Sequence, residues 1–317
     1  MKDATPTLLL SMSAPPYWHC GRTVLKRSID QLIALLPAVA MAVVNWGLPA
    51  LRIMSLAVAV CVAVEAICCR AMDRKSTIDD LTAVVAGLLY AFMLPAGAPW
   101  WIVVIGAVSA MLFGKMLFGG HGNNPLCTPL IGWAVLFISF PVHMDPNIVQ
   151  TATSFIDPLA RLKYFGVAEA NAISVLDLLL GRQINALGAG QIGALLLGGL
   201  YLLVRGQIRW QIVIPVLVGA GFPFAYLQMT DPAANASAVF HMCSGSILLC
   251  AFFMATEPCT APAVSAGMLC YGLTCGLMMF VIRHFGSYSD GAPFAVLVTS
   301  LLSPYFDMIR PKPFGVK

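Results

Sequence analysis

Ala86-Gly87-Leu88-Leu89-Tyr90-Ala91-Phe92-Met93-Leu94-Pro95 and Ser244-Gly245-Ser246-Ile247-Leu248-Leu249-Cys250-Ala251-Phe252-Phe253-Met254-Ala255 decide the fold of this chain. They read alike: a glycine near the start, an Ala-Phe pair, then Pro95 in one and Pro258 soon after the other. They fall in the third and eighth apolar segments of the sequence, an odd offset that turns the second half upside down relative to the first. By the same offset, Gly122-Asn123-Asn124-Pro125 corresponds to Ser289-Asp290-Gly291-Ala292-Pro293.

Working outward, and taking roughly 20 apolar residues per crossing, about ten spans are expected. They cover residues 31–47, 51–71, 81–94, 101–118, 130–142, 188–204, 210–227, 238–255, 261–282 and 292–305. The third, fifth and tenth are short and bounded by Gly or Pro, as the interrupted helices of transport proteins are. The expected fold is an all-α polytopic membrane protein with about ten transmembrane helices in a 5+5 inverted repeat.

Composition agrees. Of 317 residues, 59% are hydrophobic and 10% charged, with mean hydropathy +0.85. Soluble domains carry about 25% charged residues, so the apolar surface must face lipid or other helices. The net charge of +4 does not point to nucleic acid, because the basic residues flank the apolar segments, where they set topology. The start of the chain has basic residues but no apolar core ending in a cleavage site, and reads as a cytoplasmic tail. Cys61, Cys68, Cys69, Cys243, Cys250, Cys270 and Cys275 lie in apolar stretches, and no CxxC occurs. They read as small hydrophobes rather than metal ligands.

Charge sets the orientation. The N-terminal tail, Arg70-Arg74-Lys75, Lys115, Arg205-Arg209 and Arg310-Lys312-Lys317 share one side when both termini are cytoplasmic. Arg161, Lys163, Arg283 and His284 fall on the other side. The expected organisation is a cytoplasmic tail (1–28), a first five-helix half (29–142), an extracytoplasmic loop (143–187), a second half (188–306) and a cytoplasmic tail (307–317). The loop holds a polar island, Gln150-Thr151-Ala152-Thr153.

Several other places could carry chemistry. Gly119-Gly120-His121-Gly122-Asn123-Asn124-Pro125-Leu126-Cys127-Thr128-Pro129 is a Gly-rich turn opening a membrane segment. It reads either as a plain loop with a proline stop or as a place where a ligand approaches the backbone. Thr256-Glu257-Pro258-Cys259-Thr260-Ala261-Pro262 reads either as an unwound turn that could hold a cation beside a carboxylate or as a cap for the next helix. Glu65 is an intramembrane carboxylate: a functional candidate, or a partner of Arg70. Thr256, Glu257, Asp290 and Glu65 are the ion-path candidates. His241 reads as a packing residue and Asp79-Asp80 as helix caps. Signatures of catalysis by side chains alone are absent, and no metal site is expected. Any redox role falls to a bound cofactor.

These residues resemble the NqrB/RnfD family of membrane subunits of ion-translocating respiratory complexes. The family's Gly-Gly-x-Gly-x-Asn-Pro turn is met by Gly119–Pro125, followed by Leu126-Cys127-Thr128-Pro129 where the family has Phe-Asn-Pro. Its Ala-Thr-Asp-Pro-x-Thr-x-Pro stretch is met by Ala255–Pro262, with Glu257 for Asp. Its C-terminal pattern is met by Ile282-Arg283-His284-Phe285-Gly286-Ser287-Tyr288-Ser289-Asp290-Gly291. The resemblance implies FMN joined by a phosphoester to Thr153, next to Ala152, with Gln150 where the motif has Ser or Thr. It assigns cofactor binding to Gly119, Gly120, Gly122, Asn123, Asn124 and Pro125 as well, and admits a noncovalent riboflavin.

The resemblance further implies the partners of an Rnf complex: the membrane components RnfA and RnfE, the flavin component RnfG, the cytoplasmic iron–sulfur and flavin components RnfB and RnfC, and a flavin transferase for maturation. The implied activity is ferredoxin:NAD electron transfer coupled to Na+ or H+ movement across a bacterial inner membrane. By fold alone, the inverted repeat also suits a small-solute channel of the urea or ammonium type.

Overall fold

The computed structural model describes residues 23–74, 77–146, 157–167, 173–232, 235–286 and 288–309. Among them the structure is helical, with no strand. Helix α1 (Val24–Trp46) opens at Thr23, whose hydroxyl accepts from the Lys26 amide. Gly47, at φ 66°, turns the chain directly into α2 (Leu48–Ala71). Then come the short α3 (Thr82–Phe92), α4 (Trp100–Met111), which runs on as a π-turn over Leu112–Met116, and α5 (Thr128–Ser139). Among the described residues three short helices follow: α6 (Pro141–Met144), α7 (Pro158–Phe165) and α8 (Val175–Leu179).

The second half begins with α9 (Ile192–Val204) and α10 (Trp210–Thr230), followed by α11 (Ala238–Met242). Next is α12 (Ile247–Leu249), which also runs on as a π-turn, over Cys250–Met254. Helices α13 (Ser265–Phe285) and α14 (Ala292–Asp307) complete the bundle. Among the described residues four helices, α1, α2, α10 and α13, are long and apolar enough to cross a membrane; α3, α4 with its π-turn, α5 and α9 are shorter apolar helices.

Two packing relations recur along the chain. Helix α2 lies on α4 as α10 lies on α13, and α4 lies on α5 as α13 lies on α14. The α10–α13 seam is made by small residues: a Cβ on Gly276 would stand 2.3 Å from the Val216 carbonyl, and one on Gly272 2.7 Å from that of Ile212. Close backbone approach of this kind is how apolar helices associate without a hydrophobic drive.

Helix α1 packs on α9, and a buried carboxylate pins the two. Asp30 accepts from Gln207 at 2.6 Å, Arg205 at 3.0 Å and Tyr201 at 3.3 Å. Asp30→Ala is expected to cost on the order of 2 kcal/mol, the range of hydrogen bonds to a charged group, read as a lower unfolding midpoint in detergent. An unchanged midpoint would show that the cluster merely coexists with the helix contact.

The structure departs from the sequence reading in three places. The eighth segment, expected to run unbroken over 238–255, is interrupted between α11 and α12, where Gly245 sits at φ 75°. The 143–187 stretch is not all loop: α6, α7 and α8 form in or beside it, and Asp157 and Ser174 cap the latter two. Asp79 and Asp80 do not cap α3; they form a 3-10 turn, and Leu81 takes the N-cap position at φ 56° with no side-chain cap bond.

Candidate functional site

One cluster gathers where α3 begins and α4 ends. Lys115 lies in the π-turn, which shifts the helical register and swings residues inward, a distortion common at functional sites. It forms a buried ion pair with Glu65 of α2 and donates to the Thr82 hydroxyl at 2.8 Å. The Thr77 hydroxyl donates to the same Glu65 oxygen. Glu65 is fully buried and Lys115 is 3% exposed. So Glu65 is held by Lys115 rather than by Arg70, and Lys115 lies in the interior instead of marking an interface.

The Gly-rich turn follows at once. Gly119, Gly120 and Gly122 have φ of 101°, 115° and 108°. A Cβ at Gly120 or Gly122 would meet nothing within 4 Å, so conformation rather than crowding calls for glycine there. Arg74 donates to the Gly119 carbonyl at 2.6 Å. Asn124 is buried; its side-chain oxygen accepts from the Gly122 amide at 3.3 Å and its amide donates to the Leu126 carbonyl at 3.1 Å.

The Thr256–Pro262 turn of the other half meets this one. The Asn124 amide reaches Glu257 Oε1 at 3.5 Å, and Cys259 Sγ lies 3.6 Å from the His121 ring nitrogens. Glu257 Oε2 is buried with no hydrogen-bond partner among the described residues. Burial raises its carboxyl above the ordinary glutamate range, against the Cys127 and Asn124 side chains, which lower it. Glu257 is no cap, because the next helix starts only at Ser265. Lys115, His121, Thr82, Thr128 and Glu257 line a common cavity of about 40 Å³, room for a water or a small cation.

Asp290 lies elsewhere, before α14. It accepts from the Ser246 amide at 2.7 Å and hydroxyl at 2.6 Å, and from Arg283 at 2.8 Å. Arg283 also donates to the His241 and Ser244 carbonyls, at 2.7 and 3.2 Å. Burial alone would raise the Asp290 carboxyl, but Arg283 beside it and the Ser246 bonds hold it below the ordinary aspartate range. A cation at the end of α4 and one near the end of α13 thus each anchor the start of a short helix: Lys115 at Thr82, and Arg283, through Asp290, at Ser246. Arg283 falls on the less basic side of the chain because it is committed to this internal pair.

Gly245 makes the second anchor possible. A Cβ there would lie 2.5 Å from Arg283 Nη2, 2.8 Å from Leu159 Cδ1 and 3.0 Å from Asp290 Oδ2. Gly245→Ala therefore meets both a positive φ, worth about 1–2 kcal/mol, and a collision. It is expected to lower the yield of folded protein sharply, measured by fluorescence size-exclusion chromatography of detergent extracts.

A second cavity lies between α5, the start of α7 and the turn before α14. Pro146 and Asp157, which flank residues 147–156, line it together with Trp133, Phe137 and Tyr288. Trp133 and Phe137 stack at 5.0 Å, Tyr288 and Phe294 stack at 5.5 Å, and Phe294 meets Trp133 edge-on at 4.9 Å.

The structure therefore brings together Gly119, Gly120, Gly122, Asn123, Asn124 and Pro125 with Glu257, and places Glu65 next to them through Lys115. It keeps Asp290 apart. Thr256 donates back to the Phe252 carbonyl at 2.6 Å, which ends its half-helix. Thr153, Ala152 and Gln150 lie outside the described residues. His241 packs as expected, stacked on Phe224 with ring centroids 3.8 Å apart. Sequence reasoning missed Lys115, Arg283 and the aromatic group; the one available signal was a lone cation at the same place in each half. Among the described residues, no group of His, Cys, Asp and Glu could hold a metal ion.

An all-helical bundle with interrupted helices, buried ion pairs and apolar exteriors is a polytopic membrane protein. This chain belongs to the NQR2, RnfD, RnfE family, whose profile matches residues 11–315. It is 35% identical over 303 residues to the D component of the Na(+)-translocating ferredoxin:NAD(+) oxidoreductase complex of Acetobacterium woodii, covering 95% of this chain and 93% of that protein. It is 33% identical over 320 residues to the D component of the ion-translocating oxidoreductase complex of Halorhodospira halophila, covering 90% and 89%. The corresponding D component of Cronobacter sakazakii is 32% identical over 348 residues, covering 97% and 99%.

Proposed function

We propose that this chain is a membrane subunit of an ion-translocating oxidoreductase complex that couples electron transfer between ferredoxin and NAD to Na+ or H+ movement. The observation that carries this reading is the end-to-end match, 95% of this chain on 93% of the Acetobacterium woodii protein. The match spans both turns of the site. Deleting the gene should abolish ferredoxin-dependent NAD reduction and its ion gradient in inverted membrane vesicles, and a plasmid copy should restore both. Full activity after deletion would contradict the reading.

Within that complex, we infer that Thr153 carries FMN by a phosphoester, on the extracytoplasmic face of a bacterial inner membrane. The chain's residues suit the group. Asp157 stands four positions from Thr153, so covalent geometry keeps the two within roughly 14 Å. Asp157 lines the cavity that holds Trp133, Phe137 and Tyr288, and aromatic faces suit a flat conjugated ring. When bound, the flavin would supply the electron chemistry that no side chain here provides. The three aromatics would shield the ring from water and help set its potential. We also infer about ten spans in a 5+5 inverted repeat, from the likeness of residues 86–95 to 244–255, and RnfA, RnfB, RnfC, RnfE and RnfG as partners, from the family resemblance.

The ion route we favour passes between the two clasped turns. Glu257 Oε2 is a buried carboxylate oxygen with no hydrogen-bond partner among the described residues, as is Glu65 Oε2, and Lys115, paired with Glu65, lines the cavity beside Glu257. Asp290 is a structural anchor and no longer part of the route.

A further inference from the structure

The helix ends around α7, α11 and α13 enclose a cavity of about 210 Å³ that the proposed activity does not use. Its polar lining is Lys163, Arg283, His241 and His284, with the neutral Asn235 and Ser289. His241 and Arg283 are each only 7% exposed. Both hold a buried nitrogen with no hydrogen-bond partner among the described residues, Nδ1 of His241 and Nε of Arg283. An unpaired buried donor such as Arg283 Nε costs about 1–3 kcal/mol and points to a missing acceptor; His241 Nδ1 calls for one in the tautomer that carries its proton there. Lys163 adds a cation held only by carbonyls, Gly286 at 2.6 Å and Tyr288 at 3.3 Å. Asp290, paired with Arg283, is the sole carboxylate bonded to any of these groups among the described residues. Among the described residues it leaves Lys163 without a carboxylate partner.

We propose that this cavity binds a phosphate ester, whose oxygens accept from Lys163, Arg283 and His241. The apolar walls, Leu159, Leu162, Val167 and Phe224, favour the headgroup of an anionic phospholipid over inorganic phosphate. Phe285, next in the chain to the lining residue His284, is exposed and offers apolar surface for the acyl chains. Charged phosphate held by cations at a helix-end pocket is an established way for membrane proteins to recognise particular lipids.

The test uses the purified complex, wild type, Lys163→Glu and Lys163→Arg. Lys163 is exposed; Lys163→Arg keeps a donor for the Gly286 and Tyr288 carbonyls that Lys163→Glu loses, and elution of each variant as intact complex on size-exclusion chromatography controls for the fold. Each is delipidated, offered phosphatidylglycerol or phosphatidylcholine in mixed micelles, and examined by native mass spectrometry; inorganic phosphate is titrated calorimetrically in parallel. The expected result is one more phosphatidylglycerol retained by wild type and Lys163→Arg than by Lys163→Glu, with at least tenfold weaker binding in the latter and no such difference for phosphatidylcholine. Saturable phosphate heat lost in Lys163→Glu, with equal lipid retention, would assign the site to the free anion. Identical behaviour of wild type and Lys163→Glu with all three probes would overturn the proposal.

Discussion

Lys115→Met is expected to destabilise the protein by about 3–5 kcal/mol, the cost of leaving one member of a buried ion pair alone. Glu65 is fully buried and Lys115 only 3% exposed, so neither charge can turn to water. The remaining carboxylate would keep one bond from Thr77 and an unpartnered Oε2. The double variant Glu65→Gln/Lys115→Met should recover most of the loss, because matched neutral groups in the same space avoid the stranded charge. Denaturant titration of the purified chain in micelles measures both. A single variant as stable as wild type would mean that water reaches the pair and that the π-turn does not bury it.

Glu257→Gln is expected to lower ion-coupled electron transfer by at least tenfold while leaving the folded yield intact. The amide keeps the shape and the contact with Asn124, 3.5 Å away, but removes the charge from the acceptor in the clasp. Glu257→Asp, which restores the residue the family pattern carries, should retain most of the rate. The raised Glu257 carboxyl also gives a sign for pH. Protons compete with a cation for the charged form over a range that extends above the ordinary glutamate value. Coupled rate should therefore fall as pH drops into that range in wild type, and this limb should be missing in Glu257→Gln. Vesicle ion uptake against NAD reduction, scanned over pH, reads both quantities. Equal rates in wild type and Glu257→Gln at every pH would exclude Glu257 from the route.

Much of this architecture could be read from residues alone. Apolar runs, Gly and Pro boundaries and the likeness of 86–95 to 244–255 gave the helical membrane fold and both turns of the site. What stayed hidden has a common physical cause. Lys115 and Arg283 count as interfacial charges in any topology rule, yet each is buried by a distortion that hydropathy does not register: the π-turn at Leu112–Met116 for one, the break at Gly245 for the other. The partner of Glu65 lies 50 positions along the chain, whereas the sequence offers Arg70 close by. The aromatic group beside Asp157 draws on α5 and the turn before α14, elements joined only in three dimensions. Asp79 and Asp80 look like caps because side-chain type signals a helix start, but the 3-10 turn leaves Leu81 at that position.

The central claim, that this subunit carries its flavin on Thr153, is tested most directly on a denaturing gel. The chain, co-expressed with a flavin transferase, should give a band that fluoresces under ultraviolet light, and Thr153→Val should give a protein band of equal intensity with no fluorescence. A dark wild-type band, or a Thr153→Val band as bright as wild type, would contradict the account.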